Sequence, residues 1–178
     1  MRIGNREFDT ENGVYVMGIL NVTPDSFSDG GRWLERDAAL RQAAKMAAEG
    51  AAIIDIGGES TRPGHRPVGA EEEAARVLPV IAAVKRETGL PVSVDTYRHE
   101  TARLALEAGA DMVNDIWGLR YDGGEMARLI AQSGAACCLM HNRKSAEYRD
   151  FMPELLEDLR GTLGLAAAAG IARERIIL

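Results

Sequence analysis

One pattern recurs along this sequence and constrains its fold more than any other feature. A short apolar run is followed by a polar, glycine-rich loop and then by a segment with helical spacing. The apolar runs are Tyr15–Leu20, Ala51–Gly57, Leu90–Asp95, Ala110–Ile116, Ala135–Met140 and Arg175–Leu178. They are short and mostly apolar on both faces, which suits buried parallel strands better than alternating surface strands. Between them, Leu40, Ala43, Ala44 and Ala47 keep the i, i+3, i+4, i+7 spacing of one helix face, and so do Ala74, Val77, Leu78 and Ile81. Further helices are expected over Glu100–Glu107, Glu125–Gln132 and Pro153–Ala169. Glu71, Glu72 and Glu73 open the second helix and Lys85 and Arg86 close it, which complements the helix dipole.

Strand–helix alternation of this kind implies parallel strands joined by right-handed crossovers. Two architectures satisfy it: a closed (β/α)8 barrel and an open doubly wound sheet. There are five complete strand–helix units and the start of a sixth strand, whereas a full barrel takes about 250 residues. If the fold is a barrel, the 178 residues are expected to be an incomplete one. Residues Arg2–Gly13 alternate in polarity and are expected to form a hairpin, turning at Glu11–Asn12–Gly13, that closes the bottom of the barrel. Nothing marks a linker, so residues 1–178 are expected to form one domain.

Polar residues gather where the runs end: Asn21, Asp55 and Glu59, Asp95, Asn114 and Asp115, and His141. In parallel α/β folds ligands bind at this edge of the sheet. A carboxylate there can pair with a planar N–H/NH2 edge, and an Asn amide offers both a donor and an acceptor. Together they suit a heterocycle with mixed edges. The plainer readings are helix capping for Asp55 and Asp95 and turn formation for Asn114. The loops Asn21–Gly31 and Gly57–Pro67 have the opposite preference. Their Gly, Ser and Thr residues, with Arg62 and Arg66, suit a phosphate or diphosphate.

Composition narrows the function further. A formal charge of −6 argues against nucleic acid or an anionic membrane as the main partner. No apolar run approaches the roughly 18–20 residues of a membrane span. The first residues lack the apolar segment of a signal peptide, which points to the cytoplasm. The adjacent Cys137 and Cys138 read as buried thiols rather than a disulfide or metal site.

Longer strings carry a family resemblance. MGILNVTPDSFSDGG (Met17–Gly31) and IIDIGGESTRPG (Ile53–Gly64) resemble the first two signatures of dihydropteroate synthases. VSVDTYR (Val92–Arg98), VNDIWG (Val113–Gly118) and CLMHNR (Cys138–Arg143) resemble the third, fourth and fifth strand ends of the same family. The match runs in register through the whole chain.

That resemblance implies an α/β fold of the (β/α)8 TIM-barrel type, here with about five and a half of its eight units. It implies a transferase of folate biosynthesis, the sulfonamide target, which joins 6-hydroxymethyl-7,8-dihydropterin diphosphate to p-aminobenzoate and releases diphosphate. Asp95 and Asn114 would hold the pterin ring beside Ile116 and Met140, and Asp55 would support them. Asn21 would bind Mg²⁺ and the diphosphate. Thr61 and Arg62 would approach the diphosphate, and Phe27, Thr61 and Pro63 the p-aminobenzoate. Asp95, Asn114 and Arg62 would be the catalytic residues. The full-length form is expected to be a homodimer. Further family positions, a carboxylate, a lysine and an Arg–His pair on later strands, have no counterpart among these residues, so the 178 residues alone are expected to be inactive. Two rivals remain at this level: another pterin-binding barrel, of the methyltetrahydrofolate methyltransferase type, and a non-catalytic fragment.

Overall fold

The computed structural model describes residues 1–23, 31–59 and 68–178. Strands β1 (Arg2–Ile3) and β2 (Arg6–Glu7) form a small antiparallel hairpin. The repeating units follow: β3 (Val16–Asn21), α1 (Gly31–Ala48), β4 (Ala51–Gly57), α2 (Ala70–Thr88), β5 (Val92–Asp95), α3 (His99–Glu107) and β6 (Met112–Asp115). Then come α4 (Glu125–Ser133), β7 (Ala136–Leu139), α5 (Phe151–Ala169) and, after one turn of 3-10 helix, β8 (Ile176–Ile177). Each expected strand and helix is present, with ends displaced by a few residues at most.

The order of strands decides between the two architectures. The six strands run β3-β4-β5-β6-β7-β8, every pair parallel, so each strand lies beside the next in sequence. A doubly wound sheet reverses direction at a switch point, and this one never does. The fold is therefore the first six strands of a (β/α)8 barrel, with its helices on one face.

The two faces of the sheet have different fates because side chains alternate along a strand. Ile54, Ile56, Val92, Val94, Val113, Cys137 and Leu139 point outward into the helices, where they meet Ala43, Val77, Ile81, Val84, Ala105 and Ile130. Most of these are fully buried, and each aliphatic side chain so covered is worth about 1.5–3 kcal/mol. Helix α2 ends at Gly89, whose φ of +64° lets its N–H reach back to the Lys85 carbonyl. A left-handed residue at this position is the usual reason for glycine there.

The opposite face lines the barrel. At its lower end Ile53, Met112 and Ala136 form a small cluster with Ile3 and Phe8 from the N-terminal segment. The hairpin thus does cover the bottom of the barrel, as expected, but its turn is Gly4–Asn5 and not Glu11–Gly13. Gly4 takes φ +57°, and a Cβ there would lie 2.3 Å from Asp111 Oδ1. Only glycine tolerates both conditions. The later turn has its own cause: Asp9 accepts hydrogen bonds from the backbone N–H groups of Glu11 and Asn12. That side-chain-to-backbone turn carries the chain into β3 rather than into a hairpin.

Cys137 is buried among the helices, as expected, whereas Cys138, one residue on, faces the barrel interior and is half-buried. No helix among the described residues is long and apolar enough to cross a membrane.

Candidate active site at the strand ends

Strand register builds the site. Asn21 pairs with Gly57, Gly57 with Asp95, Asp95 with Asn114, Asn114 with Cys138 and Cys138 with Ile177. Neighbours in register share a face, so these six residues form one row across the barrel lining. The row below runs Ile19, Asp55, Ser93, Met112 and Ala136. Three of the sequence-predicted residues, Asn21, Asp95 and Asn114, therefore share one row at the upper edge of the sheet, with Gly57 between Asn21 and Asp95. Ile116 and Met140 lie two residues beyond Asn114 and Cys138. Met140 is 46% exposed, a large apolar side chain left open beside this row.

Gly57 leaves room in the middle. A Cβ at this position would lie 3.3 Å from Asn21 Oδ1 and 3.5 Å from Asp95 Oδ2. Its bare backbone keeps open the space between amide and carboxylate, where a flat ligand or ion can approach.

Asp55 belongs to the lower row and is 2% exposed. Its Oδ2 accepts a 2.9 Å hydrogen bond from Asn114 Nδ2. Burial pushes its carboxyl above the usual range, while Ser93 and Asn114 draw it back. Ser93 is close enough to favour the carboxylate, yet neither Ser93 Oγ nor Asp55 Oδ1 completes a hydrogen bond. Asp55 thus acts on the amide of Asn114.

Asp95 is the one carboxylate of the row. Burial, then the negative charges of Asp55, Glu73, Asp115 and Glu59, push it from 3.8 up to about 7. It does not cap the following helix, whose N-cap residue is Arg98. An acid with such a value takes or gives a proton near neutrality, and a ligand presenting N–H groups would favour its charged form.

The other polar strand ends do different work. Asp115 points outward, 1% exposed, and accepts hydrogen bonds from the backbone N–H groups of Trp117 and Leu119 at 2.8 and 2.7 Å. It shapes the turn after β6. Glu59 is 6% exposed and forms a 2.6 Å ion pair with Arg98. His141 is held by Asp158 at 2.9 Å, and Arg143 binds the same carboxylate at 2.6 Å. These three residues hold loops in place. Phe27, Thr61, Arg62 and Pro63, with Arg66, lie outside the described residues.

A buried network around Arg98 was not foreseen. Arg98 joins Glu59 to Glu73 at 2.6 and 3.2 Å, and Thr96 and Thr101 donate to Glu73 at 3.1 and 2.7 Å. Glu73 is 1% exposed, and burial raises its carboxyl above the usual range. Helical phase held the signal: Glu73 stands four residues before Val77, seven before Val80 and eight before Ile81, on the buried face of α2. Reading all three opening glutamates as dipole partners concealed it.

No group of three or more His, Cys, Asp or Glu residues among the described residues could hold a metal. Asn21 Oδ1, beside the Gly57 gap, is a neutral oxygen donor. Mg²⁺ prefers oxygen, uses few protein ligands and keeps water or phosphate as the rest. One amide oxygen at the upper edge of the row is a donor of the type that preference allows.

Residues 17–178 match the family described as pterin binding enzyme. The chain belongs to the pterin-binding enzyme family. It is 49% identical over 178 residues to a dihydropteroate synthase of Clostridium beijerinckii, covering all of this chain and 66% of that protein. Solved structures share its fold, among them two dihydropteroate synthases. The dihydropteroate synthase of Clostridium difficile, determined in the presence of pteroic acid, superposes with a TM-score of 0.92 at 46% identity, over 96% of this chain and 65% of the other. That of Xanthomonas albilineans with 4-aminobenzoic acid gives 0.85 at 45%, over 91% and 59%. This family member thus spans about two thirds or less of the length of these relatives.

Proposed function

We propose that the protein, at the full length of its relatives, is a dihydropteroate synthase. It would be a transferase joining 6-hydroxymethyl-7,8-dihydropterin diphosphate to p-aminobenzoate, with release of diphosphate. The observation that carries this reading is the row of Asn21, Gly57, Asp95 and Asn114 in continuous register. It puts an oxygen donor for a cation, an open gap, a carboxylate and an amide in line. Relatives crystallised with pteroic acid and with 4-aminobenzoic acid support the same ligands.

In this reading Asp95 and Asn114 bind the ring. Asp95 enters as an acid of pKa about 7 and loses its proton as ring N–H groups approach. The resulting anion stabilises positive charge that develops on the pterin as the bond to diphosphate breaks. Ile116 and Met140 cover the ring and exclude water. The Asn21 amide oxygen would hold Mg²⁺, whose charge makes diphosphate a better leaving group. Arg62 would bind the diphosphate, and Thr61 with Phe27 and Pro63 the p-aminobenzoate, whose neutral amine needs no strong base. Two free thiols among the described residues fit a reducing cytoplasm. The full-length form would be a homodimer.

The test is formation of dihydropteroate from the two substrates by the full-length protein, with Asp95→Asn as control. The reading predicts turnover in the parent and a loss of at least about tenfold in the variant. No turnover, with binding of methyltetrahydrofolate in place of the dihydropterin diphosphate, would assign the chain to another branch of its family.

A further inference from the structure

We infer that Asp55 is a positioning residue that fixes the order in which Asn114 shows donor and acceptor to the bound ring. The inference rests on the proposed ring site and adds a specificity determinant beneath it.

An Asn side chain has two near-isosteric orientations, with its oxygen and nitrogen exchanged. In the open site nothing in the row itself chooses between them. Asp95 has no hydrogen bond to Asn114, and Cys138, the other neighbour in register, is a weak partner at best. The choice is made from below. Asp55 Oδ2 lies 2.9 Å from Asn114 Nδ2, and a carboxylate accepts hydrogen bonds but has none to give. The amide nitrogen must therefore face Asp55. One N–H is used in that bond, and the second N–H and the carbonyl oxygen stay available in a fixed order.

The burial of Asp55 argues that this is its purpose. The side chain is 2% exposed and has no cation partner among the described residues. One of its oxygens and the neighbouring Ser93 Oγ are left without hydrogen bonds. A neutral Asn or Ser would hydrogen-bond to Asn114 without the penalty of burying a charge. Such a residue can also donate, however, and would accept either orientation of the amide. Only an acceptor-only group excludes one of them.

A donor followed by an acceptor is complementary to a cyclic amidine edge, in which a ring nitrogen accepts and the adjacent amino group donates. The 2-amino pterins have this edge. Their 2-oxo counterparts, the lumazines, reverse it: the ring nitrogen carries hydrogen and the neighbouring carbonyl accepts. Asp55 is thus the residue that makes the site prefer the amino ring to the oxo ring.

The experiment measures dissociation constants of 6-hydroxymethylpterin and 6-hydroxymethyl-lumazine for the full-length protein and for Asp55→Asn and Asp55→Ser, with circular dichroism to establish folding. The parent is expected to prefer the pterin, and the preference is expected to fall about tenfold in each folded variant, chiefly through weaker pterin binding. Equal loss for both ligands, or an unchanged ratio, would overturn the inference, because a purely structural role would weaken both alike. A parent that binds neither ring would instead remove the ring site itself. Should Asp55→Asn not fold, Asp55→Ser carries the same comparison.

Discussion

Replacing Asp95 by Asn is expected to stabilise the ligand-free protein while disabling its site. The folded-state value of about 7, against 3.8 for an ordinary Asp, means that the folded protein holds this proton more tightly than the unfolded chain. The stabilisation from that proton is complete below about pH 4 and is lost as pH rises through about 7. The difference between the two values corresponds to roughly 4 kcal/mol. Relaxation and water entry lower such figures, so a gain of at least about 1 kcal/mol is expected for the neutral Asn at pH 8. Because Asn imitates the protonated acid at every pH, the gain should shrink steadily toward pH 4. Ring binding should move the other way, weakened by about 1.5–3 kcal/mol through loss of a charge-assisted hydrogen bond. Urea unfolding of parent and variant between pH 4 and pH 8, with calorimetry for the pterin, measures both. A variant no more stable than the parent at pH 8, or equally favoured at both ends of the range, would refute the assignment of a raised carboxyl to this position.

Other outcomes follow from the same geometry. Arg98→Met should cost about 3–5 kcal/mol in urea unfolding at pH 7, since it takes the cation away from two buried carboxylates, and adding Glu73→Gln should recover part of the loss. Gly57→Ala should weaken ring and diphosphate binding about tenfold with little change in melting temperature, because its Cβ would crowd Asn21 and Asp95 rather than the core. Gly118→Ala should lower stability by about 1–3 kcal/mol: its φ is +56° and a Cβ would lie 2.9 Å from the Met140 carbonyl oxygen. Thermal melts of that variant, set beside Gly164→Ala in the exposed part of α5, would expose a general intolerance of alanine.

Sequence alone determined the alternation of strand and helix, because burial on both faces leaves runs such as Ala51–Gly57 no other use. It also placed Asn21, Asp95 and Asn114 at strand ends, since the apolar runs stop there. What it left open was which polar end faces which way. Asp115 follows Asn114 by one residue and points to the opposite side, where it shapes a turn. Asp55 lies two residues short of the row and holds Asn114 from below. Strand register and pleat decide both, and register comes from pairing between segments up to 39 residues apart, as between Cys138 and Ile177. The choice of a barrel over an open sheet was implied by the family resemblance but could not be read from the strand–helix pattern, because both folds use the same local units and differ only in which strands become neighbours. The raised pKa of Asp95 is the clearest product of that assembly: burial comes first, and the charges that add to it, Asp55 and Glu59 at the end of β4, Glu73 on α2 and Asp115 on β6, come from three different segments. Nothing in any one of them foretells the field that the folded chain brings to bear on a single carboxyl.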